Sequence, residues 1–571
     1  MGISITAHSP LFATAPQASP EDMQLVAQEG FKTVINNRPD YEGGSDQPTA
    51  DAVGEAARAA GLNYIAQPFS PSQVTQALVE EFAALVGQAE KPVLAFCRTG
   101  TRSTNIFQAA MAMGLLNPHD LTLVNVPAVS SAPAGDATPQ KKSPDFTASV
   151  TPASAVGVGA GDSPLRRHDV VIVGGGSGGI ALAASLFKRQ PNLDVAIIEP
   201  SDQHFYQPAW TLVGAGEFDV RKTVRNMHAV MPAKAKWIRA AVASFQPESN
   251  QLMCEGGEVV AYQQLVVAPG LALLWDAIPG LVDTLGKNGV TSNYRADLAP
   301  YTWDCVKSLK SGVALFTQPM VPIKCAGAPQ KALYLSAAHW QKQACLNNIH
   351  IEFHNAGGAL FSVADFIPNL MKQMQTYNAE VNLGSNLVAV DGVAKKAWFE
   401  RKGVDGNPER IEKSFDMLHV VPPQQPHAFV KNSPLANADG WVEVNQATLQ
   451  HTRFPNVFGL GDAMSAPNSK TAAAIRKQVV VLAENLLAVR MNRPLPMAYD
   501  GYSACPITVG NGKLILAEFG YNGKLMPTFG GDPTAPRASG WYMKKFLFPF
   551  LYWHLMLKGH EWLARPKKQS V

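Results

Sequence analysis

Short uninterrupted apolar runs alternate along this chain with apolar residues spaced three and four apart. In the first 115 residues, FKTVINN (31–37) and PVLAFC (92–97) are compact apolar runs that stop at polar or turn residues, the pattern of buried strands. QALVEEFAALVGQA (76–89) and STNIFQAAMAMG (103–114) carry the helical spacing. Strand, loop and helix in repetition predict a small α/β domain with a mostly parallel sheet over residues 1–126. From 127 to 167 the pattern lapses. That stretch is rich in Ala, Pro, Ser, Gly and Thr and cannot bury enough surface to order itself, so it reads as a flexible linker. At His168 the pattern resumes with Asp169-Val170-Val171-Ile172-Val173, a strand that runs straight into glycines and opens a second module, 168–539. Residues 540–571 are distinct again. Trp541 to Lys558 is apolar and aromatic with lysines beside the rings, too short to span a bilayer but suited to its interface. This reads as an amphipathic membrane-docking tail, one whose deletion leaves a soluble, cofactor-containing protein.

Composition narrows the classes. A length of 571 residues calls for more than one core. A formal net charge of +3, with no basic run interleaved with aromatics, argues against a nucleic-acid partner. Six cysteines are scattered with no C-x-x-C pair, so no zinc or other metal site is expected, and reactive thiols in a reducing compartment are the better reading. The opening MGISITAHSP has no secretory pattern, and no apolar run reaches about 18 residues.

The glycines after Val173 satisfy G-x-G-x-x-G at Gly174, Gly176 and Gly179, with Ser177 inside the loop and a helical pattern after it. Gly174 permits the turn, Gly176 lets backbone approach a pyrophosphate, and Gly179 lets helix and strand pack closely. Glu199 ends the next strand 20 residues on, where a carboxylate suits a ribose hydroxyl pair. Leu265 to Gly270 is a strand ending in a small-residue turn. Asn456-Val457-Phe458-Gly459-Leu460-Gly461-Asp462 and the helix start at Lys470-Thr471 follow. These segments resemble the flavoproteins with two Rossmann-like dinucleotide-binding domains. The resemblance implies FAD, with Asp462 on the ribityl chain and the helix N-terminus aimed at the flavin.

Longer motifs make the resemblance closer. His204-Phe205-Tyr206-Gln207-Pro208-Ala209-Trp210, Pro322-Ile323-Lys324-Cys325-Ala326-Gly327, GLGDAMSAPNSKTAAA and GYSACPITVGNGKLILAEF occur in the order and spacing of the sulfide:quinone oxidoreductases. The residues themselves agree at Cys325, which has Lys324 beside it and Lys331 nearby, since an ammonium favours the thiolate. The resemblance implies that sulfide attacks a bridged or persulfidated cysteine, that electrons pass to FAD and then to quinone, and that sulfur leaves on glutathione, sulfite or cyanide. It further implies a membrane surface as partner, peripheral inner-membrane attachment on the cytoplasmic side, and leaves a homodimer open. One departure stands out. The family pattern expects a second redox cysteine after Gly461-Asp462, and Ala463 is there instead. That leaves Cys254, Cys305, Cys345 and Cys505 open as the partner of Cys325. The alternative activity is an NAD(P)H-linked FAD oxidoreductase with a phosphatase-like hydrolase domain.

In the N-terminal module, Phe96-Cys97-Arg98-Thr99-Gly100-Thr101-Arg102-Ser103 is a strand end, a loop and a helix start. Loop amides, the helix N-terminus and Arg102 would favour a Cys97 thiolate or cradle an oxyanion. With FKTVINNRPD, this segment resembles the beta-lactamase-hydrolase-like family, which has a tyrosine-phosphatase-like fold. Phosphatases place five residues between Cys and Arg; here there are four, as in the C-R-x-G-x-R loop of rhodanese sulfurtransferases. Sulfur transfer through Cys97 and Arg102, phosphate-ester hydrolysis and a non-catalytic role stay open. Asp40 is an acid candidate, although Asp after Pro is commonly a turn residue.

Overall fold

The structure is a computed structural model that describes residues 5–9, 11–40, 42, 47–69, 76–98, 100–113, 115–116, 166–403, 407–561, 563–564 and 567–568. The chain divides into two compact units, Met1–Pro144 and Asp145–Val571. Most of the expected linker lies outside the described residues. Its last two positions, however, belong to the strand Arg166–Val173, where Arg166 and Arg167 pair with Val260 and Ala261.

The first unit is a five-stranded sheet between two helical layers. Its order is Thr6–Ser9, Phe12–Ala15, Val93–Phe96, Thr33–Asn36, Asn63–Ala66, antiparallel in the first pair and parallel thereafter. The two central strands are buried on both faces, which is why they read as continuous apolar runs. Their side chains alternate as a pleat requires. Val93, Ala95 and Ile35 face Phe82, Val86 and Phe107 on one side, while Leu94, Phe96 and Val34 face Met23, Val26 and Val53 on the other.

The second unit is built on two main sheets, of seven and five strands. In the first, Val195–Ile198, Arg166–Val173, Val259–Val267 and Val457–Gly459 run parallel, and the helices Ser177–Arg189 and Ala472–Arg490 pack together against them. The second sheet is all parallel, in the order Val290–Thr291, Met417–His419, Gly312–Gln318, Ile349–Asn355, Ala379–Leu383. The helix Ala328–Lys342 covers it and is itself covered by the hairpin Ser503–Gly510/Lys513–Phe519 through Ile507, Val509 and Ile515.

The C-terminal segment is helical from Ala538 to Lys558, with wider turns over Met543–Leu547 and Leu551–Leu555. It is not a detachable tail. Lys544, Tyr552, Trp553, Met556 and Leu557 are buried, and Arg189 pairs with Glu561 at 2.5 Å. The other face leaves Tyr542, Phe546, Leu547 and Phe550 exposed. No helix among the described residues is long and apolar enough to cross a membrane.

Candidate active site

The glycine loop behaves as its spacing requires. Gly174 has φ +103°, and a side chain there would strike Ala268 O at 2.4 Å; at Gly179 it would strike Gly174 O at 2.0 Å. Gly176 faces open space, which leaves its backbone approachable. Glu199 lies against this loop, its carboxylate accepting from the Gly175 amide at 2.7 Å and the Ser201 amide at 2.8 Å. Burial pushes the Glu199 carboxyl up, and those two amides pull it back. Ser177 Oγ lies 2.7 Å from Tyr552 Oη, which also lies 2.7 Å from His204 Nε2. His204 Nδ1 must donate to Gly175 O at 3.0 Å, so with its ring neutral Nε2 accepts from the tyrosine.

Gly270, Gly461, Asp462 and Thr471 line the same cavity, of about 390 Å³, that reaches from Gly176 to Cys325. Thr471 caps the helix Ala472–Arg490 by accepting from the Ala474 amide. Burial raises the Asp462 carboxyl, with Lys470 and Lys324 opposing. Lys470 donates to Met464 O at 2.6 Å, and burial brings its ammonium down to about 8. The Cys325 amide donates to Lys470 O at 2.8 Å, which stitches the cysteine loop to this helix start.

Cys325 stands just before the helix Ala328–Lys342, with φ +53°, a left-handed conformation that costs a non-glycine residue about 1 kcal/mol. Its sulfur is 3.7 Å from that of Cys505 and 3.1 Å from Lys331 Nζ, which donates to it. The hydrogen bond from Cys505 holds the Cys325 thiol well below its ordinary value; burial opposes, and Lys331 and Lys544 add to the lowering. Cys505 is pushed well above its ordinary value by the same contact and by burial, so it carries the proton. The alternatives left open at this cysteine resolve here. The ammonium on the thiol is that of Lys331, because Lys324 turns away to Gln207 Oε1 at 2.5 Å and lies over the Trp210 and Tyr294 rings. Position 463 does not carry the second thiol: Ala463 is buried in the core of the first sheet, and Cys505 brings its sulfur from the hairpin instead. Cys254, Cys305 and Cys345 are buried in hydrophobic clusters and do not reach Cys325.

Lys331 and Cys505 were legible only as a nearby ammonium and as one of four open cysteines, and Lys544 was missed. The signal for Cys505 is the strand period: Cys505, Ile507 and Val509 share one buried face, opposite Gly327, where a side chain would meet Cys505 Sγ at 2.6 Å. Lys544 comes from the C-terminal helix, donates to Pro208 O at 2.6 Å, and is brought down to about 7 by burial and by Lys331.

The cavity fits a dinucleotide carrying an aromatic ring system. Gly176 leaves room for phosphate, and Trp210 Nε1, Thr211 Oγ1 and both amide atoms of Asn293 are buried without partners at its wall. Unpaired buried polar groups of this kind are costly and call for a polar ligand edge.

In the first unit Cys97 is buried at the end of Val93–Phe96, and Gly100, with φ +84°, caps the helix Thr101–Ala112. Thr99 lies outside the described residues. Arg102 donates to Asn37 O at 3.0 Å and pairs with Glu42, which also accepts from Arg38 Nε at 3.0 Å; Arg102 Nε has no partner. Asp40 accepts from the Ala50 amide at 2.7 Å.

Comparison with known proteins adds the following. Residues 5–114 match the family described as beta-lactamase hydrolase-like protein, phosphatase-like domain, and residues 168–303 match pyridine nucleotide-disulphide oxidoreductase. The chain is 42% identical over 399 residues to the mitochondrial sulfide:quinone oxidoreductase of Dictyostelium discoideum, covering 69% of this chain and 87% of that one. It is 36% identical over 92 residues to the beta-lactamase hydrolase-like protein of Agrobacterium fabrum, covering 16% of this chain and 21% of that one. The sulfide:quinone oxidoreductase structure from Aquifex aeolicus shares the fold, with a TM-score of 0.59 at 19% identity over 69% of this chain and 92% of that one.

Proposed function

The chain belongs to the sulfide:quinone oxidoreductase family, whose members are flavin-dependent oxidoreductases, and on that premise we propose that its larger unit oxidises sulfide with FAD and passes the electrons to a quinone. The observation that carries this reading is the pair of sulfurs at 3.7 Å, Cys325 and Cys505, with Lys331 donating to Cys325. When the two are joined as a disulfide, hydrosulfide attacks one sulfur. That sulfur becomes a persulfide, and the other leaves as a thiolate. Lys331 and the helix N-terminus stabilise the thiolate on Cys325. The persulfide's outer sulfur then leaves to a small acceptor such as glutathione, sulfite or cyanide. The freed thiols re-form their bond and release two electrons and two protons.

Bound FAD supplies the two-electron store between sulfide and quinone. Gly174, Gly176, Ser177 and Gly179 would hold its pyrophosphate, Glu199 its ribose, and Asp462 its ribityl chain, with Gly270, Lys470 and Thr471 at the flavin end. A nicotinamide reductant has less support. The strand Gly312–Gln318, after which a second glycine fingerprint would stand, runs instead into Pro319, Pro322 and Cys325.

The exposed edge Tyr542, Phe546, Leu547 and Phe550 supports peripheral attachment to a membrane surface, from which a quinone would arrive. The C-R-x-G-x-R loop at Cys97 and Arg102 supports sulfur transfer in the smaller unit.

The test is an anaerobic titration of the purified protein. Sulfide should bleach the flavin, and a soluble ubiquinone analogue should restore its colour. Bleaching by NADH but not by sulfide would overturn the reading.

A further inference from the structure

Beneath the C-terminal helix the cavity at Cys325 continues between apolar walls, among them Leu516, Phe529, Met543 and Leu551. One carboxylate stands in that wall. Glu518 is 4% exposed and accepts from the Tyr502 phenol at 2.5 Å and from Thr528, through its amide at 2.8 Å and its hydroxyl at 2.5 Å. A second cavity of about 200 Å³ shares Leu516, Glu518, Phe529 and Met543 with the first. Glu518 thus marks the meeting of two cavities. Burying a carboxylate in an apolar wall costs free energy, and neither the sulfur chemistry nor FAD binding accounts for it.

We propose that Tyr502 is a catalytic residue that protonates the quinone and that Glu518 is its positioning residue and proton source. This rests on the quinone reading above. Reducing a quinone to its quinol takes two electrons and two protons, of which the electron pair and one proton come from the reduced flavin. The second proton comes from Tyr502. With Glu518 ionised, the phenol donates to it. Once Glu518 takes a proton from solvent through the second cavity, the bond reverses and the phenolic hydrogen is free to point at a quinone carbonyl. As electrons arrive, the carbonyl oxygen takes that hydrogen, Tyr502 takes the carboxyl proton, and Glu518 is left ionised. The Lys477 ammonium lies 5.1 Å from the centre of the Tyr502 ring.

The experiment uses the full-length, FAD-loaded protein reduced with sulfide and mixed with decylubiquinone or with ferricyanide, which takes electrons without protons. In Tyr502→Phe the ratio of the decylubiquinone rate to the ferricyanide rate should fall about 100-fold. The decylubiquinone dissociation constant, read from quenching of tryptophan fluorescence, should change less than about threefold, because the carbonyl contact is worth little in the ground state. Glu518→Gln, close in shape, should lower the same ratio about 10-fold and carries the test if Tyr502→Phe loses its cofactor. An unchanged ratio in both variants overturns this proposal alone. A wild-type protein reoxidised by ferricyanide but not by decylubiquinone overturns the quinone reading, and this proposal with it.

Discussion

The phenol of Tyr552 lies 2.7 Å from Ser177 Oγ, so the C-terminal helix rests on the glycine loop 375 residues before it. The segment that exposes an aromatic edge therefore also closes the dinucleotide site. Removing residues 540–571 would strip Trp553, Met556 and Leu557 from the core and leave Arg189 without Glu561. The truncated protein should purify with little FAD, against the expectation of a detachable tail. The milder Tyr552→Phe removes one hydrogen-bonding group, worth about 1 kcal/mol, and should weaken FAD retention about fivefold. The absorbance ratio of bound flavin to protein after dialysis measures both.

Replacing the exposed face should separate docking from folding. Tyr542, Phe546 and Phe550 changed together to Ser should keep the flavin spectrum of the wild type. Co-sedimentation with anionic vesicles should fall about tenfold or more, since the apolar area that enters the interface is lost. Undiminished sedimentation would count against this face.

The thiolate at Cys325 should show in its reactivity. With Cys505 carrying the proton and Lys331 donating at 3.1 Å, iodoacetamide should modify Cys325 at a lower pH than an ordinary thiol requires. The sign follows from the depressed value: the thiolate persists as pH falls and is lost only below that value. Lys331→Met should move the onset of alkylation toward higher pH and slow flavin bleaching by sulfide. Cys325→Ser and Cys505→Ser should each abolish bleaching while FAD stays bound. Bleaching at the wild-type rate in either would remove that cysteine from the pathway.

His204 predicts an acid-side loss of stability. Burial lowers its ring to about 4 from an ordinary 6.5, so between those values the unfolded chain binds a proton that the folded chain does not. Stability should then fall as pH drops below about 6.5 and stop falling, for this residue, near 4, at no more than about 1.4 kcal/mol per pH unit. Melting curves at pH 7 and pH 5 should separate less in His204→Gln than in the wild type. An equal or larger separation in the variant would exclude this source.

For the smaller unit, sulfur transfer predicts a chemical mark. After turnover with sulfide, the peptide containing Cys97 should carry one added sulfur atom by mass spectrometry, and Cys97→Ser should carry none. Hydrolysis of p-nitrophenyl phosphate by the unit, with no such mark, would favour the phosphatase reading instead.

What the sequence determined by itself is what neighbours in the chain decide. The glycine loop at 174–179, the buried strands around it and the helix cap at Thr471 depend on backbone freedom, apolar period and a side chain bonding three residues on, and all three are legible locally. Cys325 was marked in the same way, by its loop. Its partners were not. Which of four cysteines faces it depends on a hairpin laid across the helix Ala328–Lys342, and only that packing brings Cys505 to 3.7 Å. Which lysine meets it depends on where the left-handed turn at Cys325 sends the chain. The helix that follows carries Lys331 back onto the thiol, while the adjacent Lys324 points to Gln207. The C-terminal segment shows the same division: its composition marked two kinds of surface, but whether the inner one met lipid or core was settled by Tyr552 and Lys544 fitting the glycine loop and the cysteine pocket.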